Sequence, residues 1–202
     1  MSLIRPALNI YLRVVEKRRM QRSKTPEKLR QNLERSARLL FHPPRGTRIE
    51  KVTYPGCVDM LAVTPEQVTS DIVIFYIHGG GFVFGSPETH AAMLGQLAAR
   101  VGARVVMPRY RLAPENKFPA APDDVENAYR GLIASGVAPQ NIVIGGDSAG
   151  GGLTFGLLVD ILAKKLPLPR GAFGFSPFVD CTRQGASYIE NADREAVLAP
   201  ER

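Results

Sequence analysis

The sequence predicts an α/β domain with a mainly parallel sheet covered by helices on both faces. Three observations carry that prediction. From residue 47 onward, short apolar runs alternate with segments of helical spacing, the pattern of strand–helix–strand crossovers. The run Ile72–Ile77 is apolar throughout, as a strand buried on both faces must be. Glycine clusters directly follow two of the runs, at the strand ends where sites form in such sheets. The 202 residues suit one domain with a small appendage, and 45% hydrophobic against 22% charged residues excludes wholesale disorder.

The elements follow in order. Ile4, Leu8, Tyr11 and Val15 recur at helical spacing, with Leu12 widening the stripe. Thr25-Pro26 reads as the start of a second helix, with Thr as N-cap and Pro at the first helical position. Leu29, Leu33, Ala37 and Leu40 continue it on one face, and His42-Pro43-Pro44 ends it. This divides the chain into an N-terminal helical segment, 1–45, and a core, 46–202. Within the core, 47–54 and 60–63 form a strand pair around Pro55-Gly56, and 71–77 forms the buried strand. Residues 88–101 suit a helix and 103–107 a strand; 118–135 suit a helix and 141–144 a strand; 150–165 suit a helix and 171–175 a strand.

Charge is unevenly placed. Residues 1–51 hold 14 Lys/Arg and 4 Asp/Glu, whereas the other residues hold 12 and 15. The net charge of +7 therefore belongs to the N-terminal helices. A basic arm of this kind can bind an anionic surface, but a solvated helix face explains it as well. No nucleic-acid partner is expected. No run approaches the length of a membrane span, so no stable membrane insertion is expected either. Cys57 and Cys181 are too few and too far apart for a disulfide framework or zinc site, which fits a cytoplasmic location.

Two constellations carry chemistry. The strand Ile142–Ile144 runs into Gly145-Gly146-Asp147-Ser148-Ala149-Gly150-Gly151-Gly152 and then an apolar helix. This contains G-x-S-x-G in strand–turn–helix context, where small neighbours let the chain bend sharply and a substrate approach the serine. The helix N-terminus behind Ser148 offers free N–H groups and a positive dipole end. A glycine-rich phosphate loop or a plain tight turn would look similar, although the lysine of a phosphate loop is missing. The second constellation is His78-Gly79-Gly80-Gly81-Phe82, directly after the strand ending at Ile77. Consecutive glycines let backbone N–H groups face a ligand. His78 is suited to orienting this loop through hydrogen bonds rather than to acting as a base.

Together with Tyr110-Arg111-Leu112-Ala113-Pro114-Glu115, Phe118-Pro119-Ala120-Ala121-Pro122-Asp123-Asp124 and Ser176-Pro177-Phe178-Val179-Asp180, these motifs resemble the hormone-sensitive-lipase-like group of α/β-hydrolases, which are serine carboxylesterases and lipases. The resemblance covers nearly the whole chain. It implies that Ser148 is the nucleophile and that the N–H groups of Gly80, Gly81 and Ala149 form the oxyanion hole. It implies that residues 1–45 belong to a cap over the site. It also implies that Tyr110–Glu115 and Asp123-Asp124 fix loops through salt bridges and caps. The substrate would be a small-molecule ester, and neither a metal nor an organic cofactor is expected.

The group's triad order is Ser, then Asp or Glu, then His. No histidine follows Ser148; His42, His78 and His90 all precede it. The later acids are Asp160, Asp180, Glu190, Asp193, Glu195 and Glu201, and none stands in the expected acid motif. The expectation is an incomplete α/β-hydrolase fold whose last strands, triad acid and histidine are absent from this chain. Such a chain alone should be nearly inactive. Residues 171–175 should then form an uncovered sheet edge through which copies could associate. The alternative reading is a non-catalytic small-molecule-binding protein on a hydrolase scaffold.

Overall fold

The computed structural model describes Val14, residues 25–182, 184–186 and Glu190. Contacts group Arg30–Val179 into one compact unit. The helix expected over Ile4–Val15 lies outside the described residues, Val14 apart. Helix α1 spans Pro26–Leu40. Its stripe is less buried than the spacing suggests, with Leu33 and Ala37 half-buried and Leu40 exposed.

The described residues form one six-stranded sheet in the order β1-β2-β4-β3-β5-β6. The strands are β1 Arg48–Val52, β2 Met60–Thr64, β3 Val73–Ile77, β4 Arg104–Pro108, β5 Ile142–Asp147 and β6 Gly171–Phe175. β2 runs antiparallel to both β1 and β4, and the pairs β4–β3, β3–β5 and β5–β6 are parallel. The helices are α2 Pro87–Val101, α3 Ala120–Ala134 and α4 Ser148–Ala163.

Strand alternation sorts the core into two faces. Phe75, Ile77, Val106, Ile142 and Ile144 pack with Val125, Tyr129 and Leu132 of α3 and with Leu153, Leu157 and Ile161 of α4. Ile74, Tyr76, Val105 and Met107 point the other way, onto Ala91, Leu94 and Ala98 of α2. Helices thus cover both faces of the sheet, as the sequence predicts. At the β6 edge, Gly145 of β5 lies directly opposite Phe173. A Cβ at Gly145 would stand 2.3 Å from the Phe173 ring, which lies tilted against Tyr76 with ring centroids 6.2 Å apart.

The outer side of α4 and the β6 edge carry apolar groups in the open. Val159, Leu162 and Phe175 are each at least half exposed. Among the described residues, no helix is long and apolar enough to cross a membrane.

Candidate active site

β3 and β5 are parallel neighbours with Ile77 level with Gly146. The segments that leave their carboxyl ends therefore start side by side. From β5 the chain turns directly into α4, and Ser148 occupies that turn with φ 50°, in the left-handed region that an L-residue enters only at a cost. The strand runs on to Asp147 and the helix begins at Ser148 itself, so the turn is tighter than a helix starting at Gly150 would allow. Gly150 makes it fit: a Cβ there would lie 2.1 Å from the Ile77 carbonyl oxygen and 2.4 Å from that of His78.

From β3 the chain enters His78–Gly85. Gly80 has φ 124°, and its carbonyl accepts the N–H groups of Val83 and Phe84, each at 3.0 Å. Both polar groups of the Gly79 backbone are held by side chains. Its N–H donates to Asp147 Oδ1 at 2.9 Å, and its carbonyl lies 2.8 Å from His78 Nδ1. The carbonyl and the next N–H of a trans peptide point in opposite directions. Holding the Gly79 carbonyl on the imidazole therefore turns the Gly80 N–H away from His78. Among the described residues, no loop carbonyl takes the N–H of Gly80, Gly81 or Ala149.

His78 is fully buried, and Tyr110 stacks on it with ring centroids 4.3 Å apart. The Tyr110 hydroxyl donates to the His78 carbonyl at 2.7 Å. Burial drives the His78 imidazole from 6.5 down to about 3, so it stays neutral when folded and carries its proton on Nδ1 toward Gly79. In the unfolded chain the same group protonates near 6.5. The unfolded state then binds the extra proton between those values, and stability falls as pH drops through that window. The slope is at most about 1.4 kcal/mol per pH unit. Urea unfolding at pH 5 should show about 2 kcal/mol less stability from this group than at pH 7. His78→Asn should lose that part of the slope; equal slopes in the two proteins would refute the assignment.

Asp147 is the residue that sequence reading missed. It stands in the variable position before Ser148 and at the N-cap position of α4, yet makes no side-chain cap bond. Its Oδ1 instead takes the Gly79 N–H, the Tyr76 hydroxyl at 3.1 Å and His90 Nε2 at 3.4 Å. Burial pushes this carboxyl up, but the hydrogen bonds from His90, Gly79 and Tyr76 outweigh it and hold the group below the usual carboxylate range. Burial also raises the phenols of Tyr76 and Tyr110, so both remain donors. His90 thus approaches the residue next to Ser148, whereas the sequence offers no route between them.

The Tyr110–Glu115 segment braces the glycine loop. Arg111 forms a two-pronged pair with buried Asp124, both contacts at 2.8 Å, and its N–H donates to the same carboxylate. Arg30 of α1 donates to the carbonyls of Val83 and Ala113, each at 2.7 Å, and pairs with Glu115 at 2.8 Å. Arg30→Ala should therefore speed hydrogen exchange at Phe82–Gly85 while leaving β3–β5 unchanged. Unchanged loop exchange would show that the clasp is dispensable. Asp160 lies within α4, and Asp180 accepts the Thr182 N–H at 2.8 Å.

A serine on a left-handed strand–helix turn, facing a glycine turn from the adjacent parallel strand, defines a hydrolase-type α/β scaffold. The family profile described as alpha/beta hydrolase fold matches residues 74–202, and the chain belongs to that family. It is 38% identical over 125 residues to an acetyl-hydrolase of Streptomyces hygroscopicus, covering 62% of this chain and 42% of the relative. It is 36% identical over 135 residues to an esterase of Acinetobacter venetianus, covering 67% and 45%. An ethyl acetate hydrolase of Pseudomonas putida is 30% identical over 217 aligned positions, covering 94% and 68%. A solved esterase of the bacterial hormone-sensitive lipase family superposes with a TM-score of 0.88 at 35% identity, covering 98% of this chain and 66% of that one. The chain thus spans less than half the length of the first two relatives.

Proposed function

We propose that this chain carries the nucleophile and oxyanion hole of a carboxylic ester hydrolase. The observation that carries the reading is Ser148 on its left-handed turn, with the Gly79–Gly81 backbone fastened beside it through Asp147. Ser148 Oγ attacks the ester carbonyl. The N–H groups of Gly80, Gly81 and Ala149 receive the developing oxyanion, and His78 orients the loop that presents them. Collapse of the tetrahedral intermediate expels the alcohol and leaves an acyl-serine, which water cleaves to the acid.

The general base and its carboxylate partner come, in this reading, from outside these 202 residues. Two facts support this. No histidine follows Ser148 in the sequence, and His78 and His90 are engaged by Gly79 and Asp147. The names of the relatives, acetyl-hydrolase and ethyl acetate hydrolase, favour an ester with a short acyl group. Residues 1–45 serve as a cap segment and residues 46–202 as the core, a reading supported by the Arg30 bonds to the Val83 and Ala113 carbonyls. Association of copies through the β6 edge is supported by its exposed Phe175, and sedimentation velocity tests it. A cytoplasmic location is supported by the free thiols of Cys57 and Cys181; cell fractionation tests it.

Hydrolysis of p-nitrophenyl butyrate tests the main reading, comparing this chain with a protein extended to the relatives' length. The extended protein should turn over, and the 202-residue chain should be slower by about a million-fold. Equal rates, both abolished by Ser148→Ala, would overturn the missing base. An extended protein that binds ester without hydrolysing it would point to a non-catalytic binding protein instead.

A further inference from the structure

We propose that His90 is a positioning residue of the oxyanion loop. Its Nε2–H holds the Asp147 carboxylate where that carboxylate accepts the Gly79 N–H, which fixes the glycine turn relative to Ser148. The proposal rests on the ester-hydrolase reading above.

The geometry closes a ring. The loop Gly79–Gly85 leaves β3 and runs into α2. At its start, the Gly79 N–H lies on Asp147 Oδ1 at 2.9 Å. At its end, Ser86 caps α2 in a box with Thr89, and His90, one residue further on, reaches the same Oδ1 at 3.4 Å. Both ends of the loop are therefore tied to one carboxylate, and that carboxylate belongs to the residue preceding the nucleophile. A Cβ on Gly79 would stand 2.2 Å from Asp147 Oδ2, so the loop rests directly on the group that holds it.

The proton positions follow from the cap. Thr89 Oγ1 accepts the Ser86 N–H at 3.0 Å and lies 2.7 Å from the Ser86 carbonyl. His90 Nδ1 lies 2.9 Å from the same hydroxyl and 3.2 Å from the same carbonyl. When the hydroxyl turns to donate to Nδ1, the neutral ring keeps its only proton on Nε2. That tautomer places the Nε2 proton on the side of Asp147 Oδ1, 3.4 Å away. The carboxylate is thereby held against the N-cap role that an aspartate would otherwise take at the start of α4.

Two readouts test this. In the extended protein, His90→Leu should lower kcat for p-nitrophenyl butyrate by about ten- to a hundred-fold with KM nearly unchanged, because a small misplacement of oxyanion donors acts on the transition state. His90→Gln keeps an N–H at the ε position and should recover most of the loss. In the 202-residue chain, amide exchange at Gly79 should accelerate in His90→Leu and stay slow in His90→Gln. The second readout needs no hydrolysis. If the unsubstituted extended protein is inactive, the ester-hydrolase reading fails and Gly79 exchange alone decides the positioning role. Unchanged kcat and unchanged Gly79 exchange in His90→Leu would overturn the proposal. So would a Gln variant that falls as far as the Leu variant, since that would mark a packing role. If His90→Leu does not fold, the Gln variant decides, with wild-type kcat and Gly79 protection supporting the proposal and their loss overturning it.

Discussion

Ser148→Ala in the extended protein is expected to reduce kcat for p-nitrophenyl butyrate by about six orders of magnitude. KM should change little, because the hydroxyl contributes chemistry rather than ground-state binding. The residual rate over water should be about 10³- to 10⁴-fold, supplied by the oxyanion donors alone. The turn itself should survive, since alanine at φ 50° bears no more strain than the serine it replaces. A phosphonate ester should label the parent protein at Ser148 and leave the variant unlabelled by mass spectrometry. Retention of most of the activity in Ser148→Ala would remove this serine from the mechanism.

The second large effect is on folding. At Gly150→Ala the new methyl group would meet the backbone oxygens of Ile77 and His78 at 2.1 and 2.4 Å. Backbone atoms of a central strand cannot rotate aside, so β3 and the start of α4 must separate. A cost of about 3 kcal/mol or more is expected in urea unfolding. Gly156 provides the control in the same helix, since nothing lies within 4 Å of its absent Cβ. Gly156→Ala should stabilise the chain by about 0.5–1 kcal/mol. Similar effects from the two substitutions would mean that β3 and α4 are not in close contact at Gly150.

Much of this scaffold is legible in the sequence because its signals are local. Ile72–Ile77 reads as a buried strand from its apolar run, and residues 88–101 suit the helix found as α2. The elbow and the glycine turn are visible because bends of that kind demand glycine at fixed spacings. What remained hidden depends on contacts between distant residues. Arg30 meets partners 53 and 83 positions away, and no spacing rule announces them. Asp147 holds a position that the serine motif leaves free, so its carboxylate gave no signal until Gly79, Tyr76 and His90 were seen around it. The antiparallel pairing of β2 with β4 is likewise made between distant residues. For α1, helical spacing indicated its presence but overstated its burial, since periodicity reports a face and not what covers it.

The Phe173 ring over Gly145 also limits how this protein can change over generations. The two positions are locked to each other in sequence drift. A lineage that first acquires alanine at 145 meets the aromatic ring at 2.3 Å and must swing it aside. One that first shortens residue 173 opens room for a methyl group opposite, and alanine then becomes tolerable. The order of the two changes therefore sets how far the ring must move. Among related chains, a residue larger than glycine at 145 should be accompanied by a smaller one at 173.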